Sequence, residues 1–177
     1  MVSVGGREVR LRRMRRDDAT LYVDYWHLVA DLDFLGIDLA KLGTVEETRR
    51  RFQALVDGPR PRQTLGFTIT VDDQPAGFIN VNVLSRPFGV PHFHLADPAA
   101  RGLGIMSAVL NAGLPAILHV VRAEAATDGL RVEVRTRNGG MNRVLQRLGY
   151  QPTRTVDLDE PDGLAGPGTF HIYEIRP

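Results

Sequence analysis

The run Asp97-Pro98-Ala99-Ala100-Arg101-Gly102-Leu103-Gly104-Ile105-Met106-Ser107 holds the residues best suited to chemistry. Gly102 and Gly104 let the backbone turn without a Cβ clash, so that several N–H groups converge where a helix begins and its dipole adds to them. Arg101 supplies a fixed positive charge, and Ser107 a hydroxyl in the first turn. A turn of this kind binds an anion, and a pyrophosphate is its natural guest. The competing reading is a loop whose glycines only turn the chain. A strand, an arginine, two glycines and a long apolar helix in succession weigh against it.

Three further side chains can move protons. His92 and His94 are two apart in an extended stretch and so share one face, and histidine titrates near neutral pH without tuning. A metal site built from this pair and Asp97 lacks a third suitably spaced imidazole. Glu133 alternates with Val132 and Val134, which places it on the opposite side of its strand from those valines.

The elements around these residues are legible from periodicity. Arg7 to Met14 alternates with period two and reads as a first strand after Gly5-Gly6, with its arginines facing solvent. Asp17-Asp18 open an amphipathic helix reaching Leu35, with Leu21, Tyr25, Leu28, Val29 and Leu32 at helical spacing. Thr44 to Glu47 is a capping box that starts a second helix ending near Asp57-Gly58-Pro59. Strands Leu65 to Val71 and Ala76 to Leu84 form a hairpin about Asp72 to Pro75, and a third strand runs from about Pro91 to Ala96. A helix from Gly104 through Val121 follows, with Pro115 expected to kink or break it. Leu130 to Val134 is a strand, and Gly140 to Leu148 a helix capped by Gly149. Tyr150 leads into a further strand. A last hairpin, Thr155 to Leu158 and Phe170 to Ile175, spans the Gly- and Pro-rich loop Glu160 to Gly168. The order implies a mixed, mostly antiparallel sheet flanked by helices in one α/β domain over residues 1–177, with at least one parallel pair at the helical crossover.

Composition narrows the partners. Hydrophobic residues at 43% and charged residues at 24% are ordinary for a soluble domain, and a net charge of +1 creates no field that would select nucleic acid or a membrane. The N-terminal arginines lack interleaved aromatics, so a nucleic-acid interface is not expected there. Without cysteine there is no disulfide, thiol redox chemistry or thiolate metal site. The N-terminus lacks signal-peptide order, and no run approaches the roughly 18 apolar residues of a membrane span, so a cytoplasmic location is expected.

Arg101-Gly102-Leu103-Gly104-Ile105-Met106 resembles the Q/R-x-x-G-x-G/A acetyl-coenzyme A loop of the GNAT superfamily of N-acetyltransferases, with Met106 standing where glycine or alanine is usual. Glu133 to Tyr150 is similar to the strand, asparagine and r-v-L-x-x-L-G-F helix of the branch that acetylates ribosomal-protein N-termini and related amines. The resemblance implies a GNAT-like fold and transfer of an acetyl group from acetyl-CoA to a primary amine of a small molecule or peptide, by direct attack in a ternary complex. It implies that the backbone of residues 102 to 107, namely Gly102, Leu103, Gly104, Ile105, Met106 and Ser107, grips the co-substrate beside Arg101. Leu95 and Ala96 would pair with the pantetheine amides. Asn138 would hydrogen-bond the arm, although a plain helix N-cap explains it as well. Leu145 stands where many relatives carry the tyrosine that protonates the leaving thiolate.

With that hydroxyl absent, His94 is the candidate base and Glu133 a second one, against the plainer reading of His94 as filler on a strand face. The acceptor would lie over Trp26, Asp31, Asp33 and Phe34, which combine aromatic surface with carboxylates; simple helix packing accounts for the same residues. A non-catalytic acyl-CoA-binding sensor is the alternative function. No metal is implied, and a homodimer is left open.

Overall fold

In the computed structural model, residues 1–58, 63–83 and 87–177 are described. Eight strands form one sheet in the order β1-β2-β3-β4-β5-β6-β8-β7. Their ranges are β1 Val2–Val4, β2 Arg7–Arg13, β3 Thr64–Val71, β4 Gln74–Asn82, β5 Phe88–Leu95, β6 Gly129–Arg135, β7 Arg154–Leu158 and β8 Gly168–Ile175. The helices are α1 Ala19–Asp24, α2 Leu32–Leu35, α3 Leu39–Leu42, α4 Val45–Asp57, α5 Ile105–Ala125 and α6 Gly139–Arg147. The expected mixed and mostly antiparallel sheet is present.

The one parallel contact among the described residues is brief. β5 meets β6 only at Phe88↔Gly129 and Gly89↔Leu130. Beyond that point β5 stays bonded to β4 as far as Leu95, and β6 to β8 as far as Arg135. The two strands diverge, and each leaves a backbone edge facing the other. Unpaired ladder groups of this kind accept a further extended chain.

Local chemistry explains most boundaries. Asp72 and Asp73 both take positive φ, 50° and 61°, which matches the twist of a two-residue hairpin between β3 and β4. The capping box at α4 is complete, with the Glu47 amide donating to Thr44 Oγ1 at 3.2 Å and the Thr44 amide to Glu47 Oε2 at 2.7 Å. One side of the sheet packs on α5 through Ile105, Val109, Leu114, Ile117, Leu118 and Val121, all buried as their spacing requires. The other side packs Phe78 against Tyr22, Tyr25, Trp26 and Phe52.

Four expectations are corrected. The single helix over Asp17 to Leu35 is instead a 3₁₀ turn at Arg16–Asp18, α1, a π-helical turn at Tyr25–Val29, and α2. The break comes at Ala30, whose extended backbone (φ −68°, ψ 131°) lets Asp31 cap α2, and the π turn closes with Ala30 N–H donating to Tyr25 O at 2.7 Å. Of the kink or break expected at Pro115, the break does not occur: α5 continues through it, and that proline and Asn111 lie on the solvent side, where the carbonyl deprived of its helical partner can be hydrated. The β2 arginines do not all face solvent: Arg12 grips buried Asp18 with two bonds of 2.7 and 2.8 Å, and Arg13 pairs with Glu124 at 3.5 Å. Finally, α5 is long and apolar enough to cross a membrane by length and composition, a run obscured in the sequence by Asn111, Gly113, Pro115 and His119. Its buried face belongs to the core of the sheet. Two boundary residues of the sequence reading, Pro59 and Leu84, lie outside the described residues.

Candidate active site

The anion turn forms as its residues dictate. Asp97 Oδ1 accepts from Ala99 N–H at 2.9 Å and caps a 3₁₀ turn over Pro98–Ala100. Gly102 (φ +76°) and Gly104 (φ +80°) then occupy the left-handed region, and α5 starts at Ile105. A Cβ at Gly102 would meet nothing within 4 Å. The amides of residues 102 to 107 have no hydrogen-bond partner among the described residues. They stand open at the N-terminus of α5, a setting whose dipole and free N–H groups suit an anion. Leu103 is exposed, Ile105 is buried, and Met106 and Ser107 are half-buried. Arg101 folds back, its guanidinium donating to Leu95 O at 3.1 and 3.2 Å. Leu95 O is thereby engaged, and Ala96 N–H donates to Ala76 O at 2.9 Å. The free edge of β5 lies at the residues before this pair.

Where β5 and β6 part, a cleft of about 680 Å³ opens. Phe93, Val132, Val134, Asn138 and Met141 line it from the α5 side; Trp26, Phe34, His92, His94 and Glu133 line it from the other. The lining thus draws on successive residues of both diverging strands. No residue from Leu95 to Ser107 lines the cleft; the turn at residues 102 to 107 comes after the end of β5 and the 3₁₀ turn at Pro98–Ala100.

His92 and His94 enter the cleft on the same face, as their spacing requires, but in different surroundings. His92 Nε2 lies 3.0 Å from Asp162 Oδ1, which also accepts from Asn82 Nδ2. Asp162 is buried, and its backbone N–H donates to Glu133 Oε2 at 3.2 Å. Glu133 Oε1 accepts from Arg131, so both of its oxygens are engaged. His94 instead packs among Tyr25, Trp26 and Phe78, with ring centroids 5.1, 4.8 and 4.8 Å away. Tyr25 Oη lies 3.0 Å from its Nδ1. Removal from water, reinforced by the neighbouring His92, pushes the His94 pKa down to about 3. Burial raises the Tyr25 hydroxyl to about 12 against the opposing pull of the Arg101 charge.

The remaining expected residues separate into two groups. Trp26, delivered by the π turn, and Phe34 line the cleft. Asp31 is exposed and caps α2 by accepting from Phe34 N–H at 2.9 Å, while Asp33 is exposed beside it; neither lines the cleft. Asn138 does line it while capping α6, with Oδ1 accepting from Met141 N–H at 3.1 Å. Leu145 is fully buried in the core. Among the described residues no group of three or more His, Asp or Glu side chains is placed to hold a metal.

Sequence reasoning missed three residues. Asp162 lies in the Glu160 to Gly168 loop, where only the turn-forming glycines and prolines stood out. Tyr25 looked like one more apolar helix position. Arg135 donates to the carbonyls of Leu35, Gly36, Gly166 and Pro167, at 3.1, 2.8, 2.7 and 3.2 Å, and stacks on Phe170. It staples α2 to the β7–β8 loop over the cleft. Burial lowers its pKa, helped by the Arg137 charge. No signal in the sequence marks an arginine that will serve carbonyls.

A family model described as an acetyltransferase (GNAT) domain matches residues 8–151. No curated protein matches the sequence. Among solved structures, the ribosomal-protein-S5-alanine acetyltransferase from Vibrio fischeri superposes with a TM-score of 0.70 at 15% identity, over 95% of this chain and 92% of that one. RimL, a ribosomal L7/L12 alpha-N-protein acetyltransferase solved with coenzyme A, gives 0.71 at 17%, over 95% and 93%. Mycobacterium smegmatis RimJ, solved with a CoA disulfide, gives 0.69 at 19%, over 95% and 81%. Identities this low establish a shared fold, and the family match extends over most of the chain. The divergent strands, the glycine turn before α5 and the match across residues 8–151 agree: the chain belongs to the GNAT acetyltransferase family.

Proposed function

We propose that this protein transfers an acetyl group from acetyl-CoA to a primary amine of a small molecule or peptide, by direct attack in a ternary complex in the cytoplasm. The observation that carries the reading is a cleft between diverging strands with a histidine–carboxylate pair inside, on a sheet whose β5 is followed by a turn of unpaired amides. The amides of Gly102, Leu103, Gly104, Ile105, Met106 and Ser107 fit a pyrophosphate. The free edge of β5 suits an extended arm carrying amides, and Asn138 Nδ2 is available to it. Arg101 holds the end of β5 and adds positive charge near the turn.

In this reading His92 is the base. Its Nε2–H donates to Asp162, which leaves the Nδ1 lone pair to take a proton from the attacking nitrogen. Asn82 and the Glu133 carboxylate hold Asp162, so Glu133 acts as a positioning residue. His94, with its pKa near 3, is a poor match for an amine proton. Trp26 and Phe34 offer the acceptor an apolar wall.

Buried Leu145 favours a second reading, a module that binds acyl-CoA without turnover, because no hydroxyl stands at that position. Calorimetry with coenzyme A tests the shared premise, and absence of heat overturns both readings. Thiol release with a panel of amines separates them: release with any acceptor establishes transfer, and binding without release across peptides, polyamines and amino acids supports the sensor.

A further inference from the structure

The departing sulfur needs a hydrogen-bond donor, and the usual position offers only Leu145. The Tyr173 hydroxyl does not replace it. That residue is fully buried and donates to Asn142 Oδ1 at 2.8 Å. Inside the cleft, His92 is committed to Asp162 and Glu133 to Arg131. His94 remains.

Tyr25 and His94 form a closed pair. The phenol is buried, and its proton needs an acceptor; the imidazole nitrogen 3.0 Å away is a far better acceptor than a phenol oxygen. Tyr25 Oη–H therefore donates to His94 Nδ1, and the imidazole carries its single proton on Nε2. That nitrogen makes no bond to a described residue and, unlike the indole nitrogen of Trp26, is not sealed away from solvent. It opens on the cleft that His94 lines. Three aromatic rings around the imidazole disfavour a charge on it.

We infer that His94 serves the reaction as a neutral hydrogen-bond donor, offering Nε2–H to the acyl carbonyl oxygen and then to the departing sulfur, with Tyr25 fixing its tautomer. The inference rests on the acetyl-transfer reading above. In balance, the nitrogen–carbon bond forms, the nitrogen proton passes to His92, the carbon–sulfur bond breaks, and the thiolate takes its proton from solvent. His94 keeps its own proton throughout. A neutral imidazole does this without the reorganisation that a charged donor in an apolar wall would require.

The test joins nitrogen NMR with kinetics. In histidine-¹⁵N-labelled protein, with His94 assigned by its loss in His94→Gln, Nδ1 is expected to resonate as the unprotonated nitrogen and to stay so down to about pH 5. His94→Phe is expected to lower kcat about 10²- to 10³-fold with coenzyme A affinity unchanged. His94→Gln, which keeps a neutral donor but no base, should recover at least about tenfold of that loss. Tyr25→Phe should mix the tautomers and lower kcat while leaving the amine KM in place. A proton found on Nδ1, titration of His94 near its ordinary value, or His94→Gln as slow as His94→Phe overturns the inference. Absence of thiol release by the wild type with every amine overturns the transfer reading instead, and the spectra still decide the tautomer.

Discussion

His92 Nε2 and Asp162 Oδ1 lie 3.0 Å apart, joining a strand in the middle of the sheet to the loop before its penultimate strand. The carboxylate fixes which imidazole nitrogen is free. Asp162→Asn should therefore lower kcat about 10²- to 10³-fold and shift the acidic limb of the pH–rate profile, with coenzyme A affinity retained. Steady-state kinetics across pH, beside a thermal melt showing that the variant folds, check this. An unchanged profile would remove His92 as the base.

Gly104→Val should abolish detectable coenzyme A binding in calorimetry. The nearest atom to a Cβ there is Val4 Cγ1 at 4.0 Å, so no clash unfolds the protein. The cost in stability is the positive φ of +80°, about 1–2 kcal/mol. A branched side chain resists the left-handed backbone that lets the turn amides converge. A valine variant that binds as tightly as wild type contradicts the site.

Asp18 governs stability in acid. Burial alone would raise its carboxyl pKa, but the bonds from Arg12, Thr68 and the Arg15 amide hold it below the usual range. A depressed folded-state value contributes stability that is complete above the unfolded value near 3.9 and is lost as pH falls through the folded one. Asp18→Asn should cost about 3–5 kcal/mol at neutral pH, since Arg12 loses its partner. Urea denaturation at pH 7 and below pH 4 measures both effects, and the difference between variant and wild type should shrink in the acid series.

His94 acts in a higher pH window. Its folded value of about 3 lies below the unfolded value near 6.5, so the unfolded chain binds the extra proton. Stability contributed here is complete above about pH 6.5 and declines below it by at most about 1.4 kcal/mol per pH unit. His94→Phe should flatten the stability profile between about pH 6.5 and pH 4. Denaturation midpoints across that range decide it.

Arg135→Met should loosen the roof of the cleft while preserving the sheet. Four carbonyls lose the guanidinium, and the α2–α3 segment stays joined to the β7–β8 loop by Gly166 N–H to Gly36 O and Asp38 N–H to Leu164 O, both at 2.9 Å, and Lys41 Nζ to Ala165 O at 3.0 Å. Limited proteolysis should cut faster within residues 159–167, and the amine KM should rise with coenzyme A affinity unchanged. Equal proteolysis rates would show that the staple is dispensable.

Residue order determined what depends on local preference. Gly102 and Gly104 sit where only a left-handed backbone makes the turn, Thr44 and Glu47 close their capping box, and the spacing from Ile105 to Val121 selects a helix with one buried face. The family was legible in two motifs that resemble it, Arg101 to Met106 and Glu133 to Tyr150. What tertiary structure decided depends on contacts across long separations. The opening between β5 and β6 exists because pairing stops after Gly89 and Leu130, which no local pattern records. Asp162 reaches His92 across 70 positions, and Tyr25 reaches His94 across 69. Alternation put both histidines on one face, but only their neighbours in space separate an imidazole held by a carboxylate from one packed among aromatic rings. Ionisation follows solvation and partners, and both are properties of the folded chain.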